Sequence, residues 1–143
     1  MIAFYLLFAL FLFSSDTGTI QLTVQHIRSP KGTIKIAVFN SADSFLKDGE
    51  AIQTHSIPVN DTKDLNLTLQ PLPYGTTYSI AIYHDVNDNN QLDTNLFGVP
   101  KEPYGFSNNT PSKWGAPKYE IARFELKEAE MTTSIKVKKW SEH

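Results

Sequence analysis

The chain contains no cysteine. Disulfide bridges, thiolate metal sites and cysteine nucleophiles are thereby excluded, and an exported form would have to rest on core packing alone. Nor is there an excess of charge of either sign: 13 Lys and Arg face 15 Asp and Glu, for a net charge of -2. The one short basic group, Lys136, Lys138 and Lys139, is too small to supply the positive field of a nonspecific nucleic-acid binder, which excludes nucleic acid as a partner. A helical apolar period is missing as well, since no segment keeps a 3.6-residue repeat for more than about one turn. Gly-rich phosphate loops and Ser-His-Asp contexts are absent from the sequence, and His26, His55 and His143 lack ligand-like spacing.

One long apolar run is present, from Ile2 to Phe13, followed at once by Ser14, Ser15 and Asp16. It resembles the apolar region of a secretory signal and falls short of the roughly 20 residues that a bilayer-spanning helix needs. No Lys or Arg precedes it, and Phe13-Ser14-Ser15 departs from the small-x-small cleavage pattern. The expectation is a signal peptide over residues 1–18, cut near Ser15 or Gly18, and a single domain over 19–143 that is secreted or periplasmic and keeps no stable membrane span after cleavage.

Beyond the leader the apolar period is two. Ile20, Leu22 and Val24 alternate with polar residues, as do Ile34, Ile36 and Val38, with Ser29-Pro30-Lys31-Gly32 as the connecting turn. Ser41 to Glu50 predicts a helical turn or irregular loop, and Ala51 to Val59 a strand that Pro58 drives to a sheet edge. Leu65, Leu67 and Leu69, the turn Pro71-Leu72-Pro73-Tyr74-Gly75, and then Tyr78, Ile80 and Ile82 give the strongest hairpin signal. Tyr119 to Leu126 and Thr133 to Val137 predict two further strands, with Ile135 and Val137 inward. About seven short strands imply an all-β, antiparallel sandwich with function at its loops. The 85–118 segment is too long for a neutral connector, and Phe97, Tyr104, Phe106 and Trp114 argue that it folds back and packs.

The leader, the Leu72-Pro73-Tyr74-Gly75 turn with Tyr78, and the runs 84-HDVNDNNQLDTN-95 and 97-FGVPKEPYGFSNN-109 resemble the DUF2141 family of bacterial proteins. The resemblance implies an exported domain with an immunoglobulin-like or prealbumin-like β-sandwich, and no assigned chemistry. The family's Pro-x-Gly-x-Tyr turn is one residue longer here, as Gly75-Thr76-Thr77-Tyr78.

The run after Tyr83 is dense in oxygen ligands. Against the calcium-loop template Asp85, Asn87 and Asn89 hold the first, third and fifth positions, Gln91 offers its backbone carbonyl at the seventh and Asp93 lies at the ninth. Asn90 replaces the Gly of the sharp sixth position, a tolerable exchange because Asn enters the left-handed region readily. Leu92 would tether the loop to the core. Leu96 stands where a bidentate Glu is expected, unless Glu102 or Asp88 folds in. Calcium is therefore the candidate cofactor, of weak affinity; the competing reading is that these side chains cap their own backbone in successive turns without an ion. His84 falls on the strand face opposite Asp85, which disfavours a His-Asp site and predicts a hydrogen bond to the following loop. Tyr104, Phe106 and Trp114 are a candidate binding surface for an extracellular or cell-envelope ligand, or else a plug that pins the long segment. The sequence thus favours an exported non-enzymatic domain over a small hydrolytic or carbohydrate-active accessory using Asp85, Asp93 and Glu102.

Overall fold

The computed structural model describes residues 16–143; the apolar run of the expected leader lies outside them. Nine strands follow in chain order: β1 (Thr17–Gln25), β2 (Thr33–Phe39), β3 (Gln53–Pro58), β4 (Leu65–Thr68), β5 (Leu72–Pro73), β6 (Thr77–Asp85), β7 (Tyr104–Phe106), β8 (Phe124–Glu125) and β9 (Glu130–Lys136), with one helical turn, α1 (Tyr119–Ala122), before β8. They form two sheets. In the first, β1 is central, with β4 and β5 antiparallel along one side and β9 along the other. The second has the order β3-β2-β6-β7, and β8 lies beside the start of β6.

The expected all-β sandwich is the observed fold, with β5 and β7 as short additions to the expected seven strands and β8 as what remains of the predicted 119–126 strand. One pair departs from the antiparallel rule: β9 runs parallel to β1, Thr19 facing Glu130 and Gln25 facing Lys136. The chain leaves β8 and reaches the first sheet at the end where β1 starts, where the Thr19 N–H donates to Ala129 O. It therefore travels in the direction of β1.

Alternation places the core as the sequence predicts. Ile20, Leu22, Val24, Ile34, Ile36, Val38, Ile80, Ile82, Ile135 and Val137 are buried between the sheets. The expected hairpin of residues 65–82 is not one: β4 pairs with β1 and β6 pairs with β2, so the intervening turn crosses between sheets. Both strands present one apolar face to the same interior, and alternation alone does not distinguish a hairpin from two strands of opposed sheets. The Tyr78 hydroxyl, on a buried side chain, donates to Pro73 O at 2.8 Å and fixes this crossing in the manner of a tyrosine corner. At the crossing from β1 to β2 Gly32 has φ +84° and sits so close to Asp85 O that any Cβ would overlap it.

Two further expectations change. The predicted 119–126 strand begins as a helical turn, because the turn brings Tyr119 and Ala122, both buried, onto one face while Ile121 projects into solvent. The long segment 85–118 contains a strand, β7, that pairs with β6 through Ala81–Phe106, Ile82–Gly105 and Tyr83–Tyr104. β7 and α1 help to build a second apolar layer on the outer face of the second sheet, made of Tyr104, Phe106 and Ala122 with Phe45, Ala81, Tyr83 and Trp140. Phe45 is its centre, with edge-to-face contacts to Phe39, Phe106 and Tyr119 at centroid distances of 5.6, 6.3 and 5.8 Å.

The run 105-GFSNN-109 ties these layers together. Gly105 faces Lys136 O, where a Cβ would lie 2.4 Å away. Ser107 Oγ fills the gap between β8 and β7 along β6, accepting from Ile80 N–H and donating to Ala122 O. Asn108 Nδ2 reaches Ala122 O and Arg123 O at the end of α1. Asn109 uses both ends of its carboxamide on β9, donating to Ser134 O and accepting from Lys136 N–H. On the opposite flank Gln53 does the same to Gln70, donating to its carbonyl and accepting its N–H.

Candidate functional site

The Asx-rich loop starts at the end of β6. Asp85 is fully buried, and its two oxygens accept the N–H groups of Asn89 (3.1 Å) and Asn90 (2.9 Å). Glu102, also buried, reaches across from the far end of the loop, accepting Val86 N–H on Oε1 (2.9 Å) and Asp93 N–H on Oε2 (3.1 Å). A carboxylate with both oxygens on main-chain N–H groups makes charge-assisted bonds, stronger than neutral ones, and stays rigidly placed. Asn87 and Asn89 close smaller turns by accepting from the N–H groups of Asn89 and Gln91. Asp88 and Asn90 both take left-handed backbone, at φ 55° and 62°, so the sharp sixth position is made by Asn90 as its residue type allows. Two residues of β2 clamp the loop from below: Thr33 Oγ1 donates to Asp88 Oδ1 at 2.6 Å and Lys35 Nζ to Asn90 Oδ1 at 2.7 Å.

Three of the five sequence-predicted ligands converge. Asn87 Nδ2 lies 2.7 Å from Asp93 Oδ2 and Asn89 Nδ2 2.9 Å from Asp93 Oδ1. A carboxamide carries an oxygen on the same carbon as its nitrogen, and a half-turn of each would set two amide oxygens beside the Asp93 carboxylate at the cost of the N–H bonds that those oxygens accept from Asn89 and Gln91. That is the chemistry of a hard cation, with few charges. Asp85 is held apart by its two N–H bonds, and Gln91 is exposed. Among the described residues no three of His, Cys, Asp and Glu gather as a metal group. The nearby Tyr83 phenol is pushed above its ordinary pKa, first by burial and then by the Asp85, Glu102 and Asp93 carboxylates.

Beside the loop a groove of about 1070 Å³ opens on the outer face of the second sheet. Its floor is a row of small residues set by strand register: Thr54 opposite Ala37, Ala37 opposite Ala81, and Ala81 opposite Phe106. Leu46 stands on one rim; Leu92 and Phe97, carried by the loop, stand on another; Trp114 and Trp140 lie at a third. Phe97 is 90% exposed and Trp114 92%. The tip carrying Phe97 is nevertheless pinned, since Asn95 Oδ1 accepts the N–H groups of Phe97 and Val99.

The family model described as an uncharacterized protein conserved in bacteria, DUF2141, matches residues 22–134. The chain belongs to the DUF2141 family. No curated protein and no solved structure matches it. The matched span of this DUF2141 domain holds the whole Asx-rich loop, the GFSNN run and most of the groove, with Trp140 outside it.

The remaining sequence-predicted residues of the DUF2141 domain fall as follows. Tyr104 and Phe106 are buried in the outer layer, while Trp114 stands in solvent, so the three border one groove without forming one platform. Leu92 is exposed on the groove rim and does not tether the loop to the core; that tether is Glu102, which the template could only offer as an extra ligand. His84 is buried on the inner face, away from Asp85, and its Nε2 lies 2.7 Å from Lys31 O of the preceding turn, not from the following loop. Nε2 must carry the proton to donate there, and Nδ1 has no partner. The small-residue floor was missed by sequence reasoning; its only trace is Ala37 and Ala81 at strand positions where larger residues are usual.

Proposed function

We propose that this DUF2141 domain is an exported, non-enzymatic module of the periplasm or extracellular space, whose Asx-rich loop is a rigid element that shapes a binding groove and takes calcium weakly. The observation that carries this reading is the bonding of Asp85 and Glu102: all four carboxylate oxygens accept main-chain N–H groups. A general acid or nucleophile needs an oxygen that can reach a substrate, and these oxygens are engaged and buried. The same bonds position the stretch from Val86 to Asp93, which brings Asn87, Asn89 and Asp93 together and presents Leu92 and Phe97 to the groove. With one carboxylate and two carboxamides in that cluster, affinity belongs to the weak extracellular range, about 10⁻⁴ to 10⁻³ M. The apolar leader supports export, and no helix among the described residues is long and apolar enough to cross a membrane.

The test is thermal unfolding in calcium against chelator. Calcium at one hundred times its dissociation constant adds about 2.7 kcal/mol to stability, and Asp93→Asn abolishes the gain. Identical melting in chelator and in calcium at about 0.1 M, one hundred times the weaker dissociation constant, would remove calcium from the proposal and leave the loop as a self-sufficient scaffold.

A further inference from the structure

The groove and its charges point to a ligand. We infer that the trough over Thr54, Ala37 and Ala81 binds a free fatty acid, with the acyl chain lying across the strands and the carboxylate held by lysines at the rim.

The shape comes from strand register. A row of small side chains crosses β3, β2 and β6 and ends against Phe106 of β7. Four strands at ordinary spacing make the trough roughly 14 Å long, the reach of a medium-length alkyl chain. Its volume of about 1070 Å³ lies at the upper end for small-ligand sites. The walls are apolar. Of the seven large hydrophobic side chains that are exposed among the described residues, four, Leu46, Leu92, Phe97 and Trp114, border this one groove, and Ile52, Leu96 and Ile121 lie outside it. Such clustering marks a binding site and not scattered surface apolarity.

Hydrogen-bonding capacity separates a lipid chain from a sugar. Beside the floor Lys35, Ser56 and Asn90 are engaged with one another, Lys35 Nζ donating to both Ser56 Oγ and Asn90 Oδ1, while Ala37 and Ala81 bring no polar side chain. A sugar ring needs several open donors and acceptors, whereas an alkyl chain needs none.

Charge then selects the head group. The chain as a whole is net negative, yet the groove is lined by Lys35, Lys47 and Lys113 against Asp48 alone. Among the described residues the ion pairs are Arg28 with Glu142 and Lys127 with Glu125, so none of these three ammonium groups has a carboxylate partner. Lys113 Nζ is poised about equally from the indoles of Trp114 (5.9 Å) and Trp140 (6.0 Å), at the mouth of the groove. An apolar body with one anionic end complements this lining.

The two tryptophans of the chain are Trp114 and Trp140, and both line the groove, so intrinsic fluorescence reports on the site. The experiment titrates the whole domain with decanoate, dodecanoate and tetradecanoate below their micellar concentrations. The expected result is a saturable change whose affinity rises about fourfold per added methylene. Ala37→Phe, which fills the trough, weakens dodecanoate at least tenfold with an unchanged thermal melt; if that variant does not fold, Thr54→Phe on the exposed edge strand serves instead. Lys113→Met, which removes an ammonium group that clamps no part of the loop, weakens dodecanoate several-fold and leaves dodecanol unaffected. The inference is overturned by affinity that does not depend on chain length, by equal affinity for dodecanol, by saturation with galacturonate in place of fatty acid, or by a response to anionic vesicles alone. None of these outcomes depends on calcium.

Discussion

The two faces of the second sheet are built from the same strands and covered in opposite ways. The inner face is aliphatic, with Ile34, Ile36, Val38, Ile80 and Ile82 closed over by the first sheet. The outer face is aromatic, and it is covered by pieces: Phe45 from one loop, Tyr119 and Ala122 from a helical turn, and Trp140 near the carboxyl end. A sheet lays down a continuous lid because its own side chains repeat at the spacing of the face that it covers. Loops do not repeat, and where their cover stops short the row over Ala37 and Ala81 lies open. Stability and binding are thereby divided between two sides of one set of strands.

The largest test of that division compares one truncation on each face. Ile80→Ala empties a fully buried inner site and lowers unfolding free energy by about 4 kcal/mol; Phe45→Ala, half-buried in the outer layer, lowers it by about 2 kcal/mol. Urea unfolding monitored by circular dichroism measures both, and equal losses would mean that the outer layer is a second core. Next comes the loop that links the faces. Asp85→Ala strands the N–H groups of Asn89 and Asn90 and costs about 2–3 kcal/mol, while Asp85→Asn keeps one acceptor and costs about half as much. If both variants melt like the parent, the loop contributes nothing to the fold.

The smallest effect is at His143, whose ring stacks on Tyr104 at 4.4 Å and whose Nε2 lies 3.2 Å from Tyr104 O. Burial holds its pKa below the ordinary histidine value, against the opposing Tyr104 O hydrogen bond. The unfolded chain therefore takes up the proton first as pH falls. The stabilisation is complete above about pH 6.5 and is lost as pH drops through the folded value. His143→Gln flattens that part of the pH profile of unfolding free energy, measured by urea unfolding across the histidine range.

The sequence displayed the inner face almost completely, because period-two alternation is a direct image of a sheet packed on a sheet. The outer face was nearly illegible. Tyr104 and Phe106 were visible as aromatics, yet the strand that they form is three residues long and surrounded by Pro, Gly and Asn, and so leaves no periodic trace. The parallel placing of β9 and the sheet-crossing turn after β4 depend on which sheet each strand joins, and an apolar face does not specify its partner. At the loop, the residue types offered two partners for the oxygens, an ion or the loop's own backbone, and Asp85, Asn87 and Asn89 do cap backbone N–H groups. Asp85 and Glu102 take main-chain N–H groups whose positions exist only after folding.

Asn109 and Gln53 bear on how copies of this chain meet one another. Each places a side-chain amide against the main chain of a border strand or its continuation, one flank of the sandwich apiece. To an incoming chain seeking to extend a sheet, such a position is already taken by a group with the donor and acceptor of a peptide bond and no continuing backbone behind it. Two carboxamides thus stand where the next strand's peptide groups would bond, and they fill those border positions with neither charge nor proline.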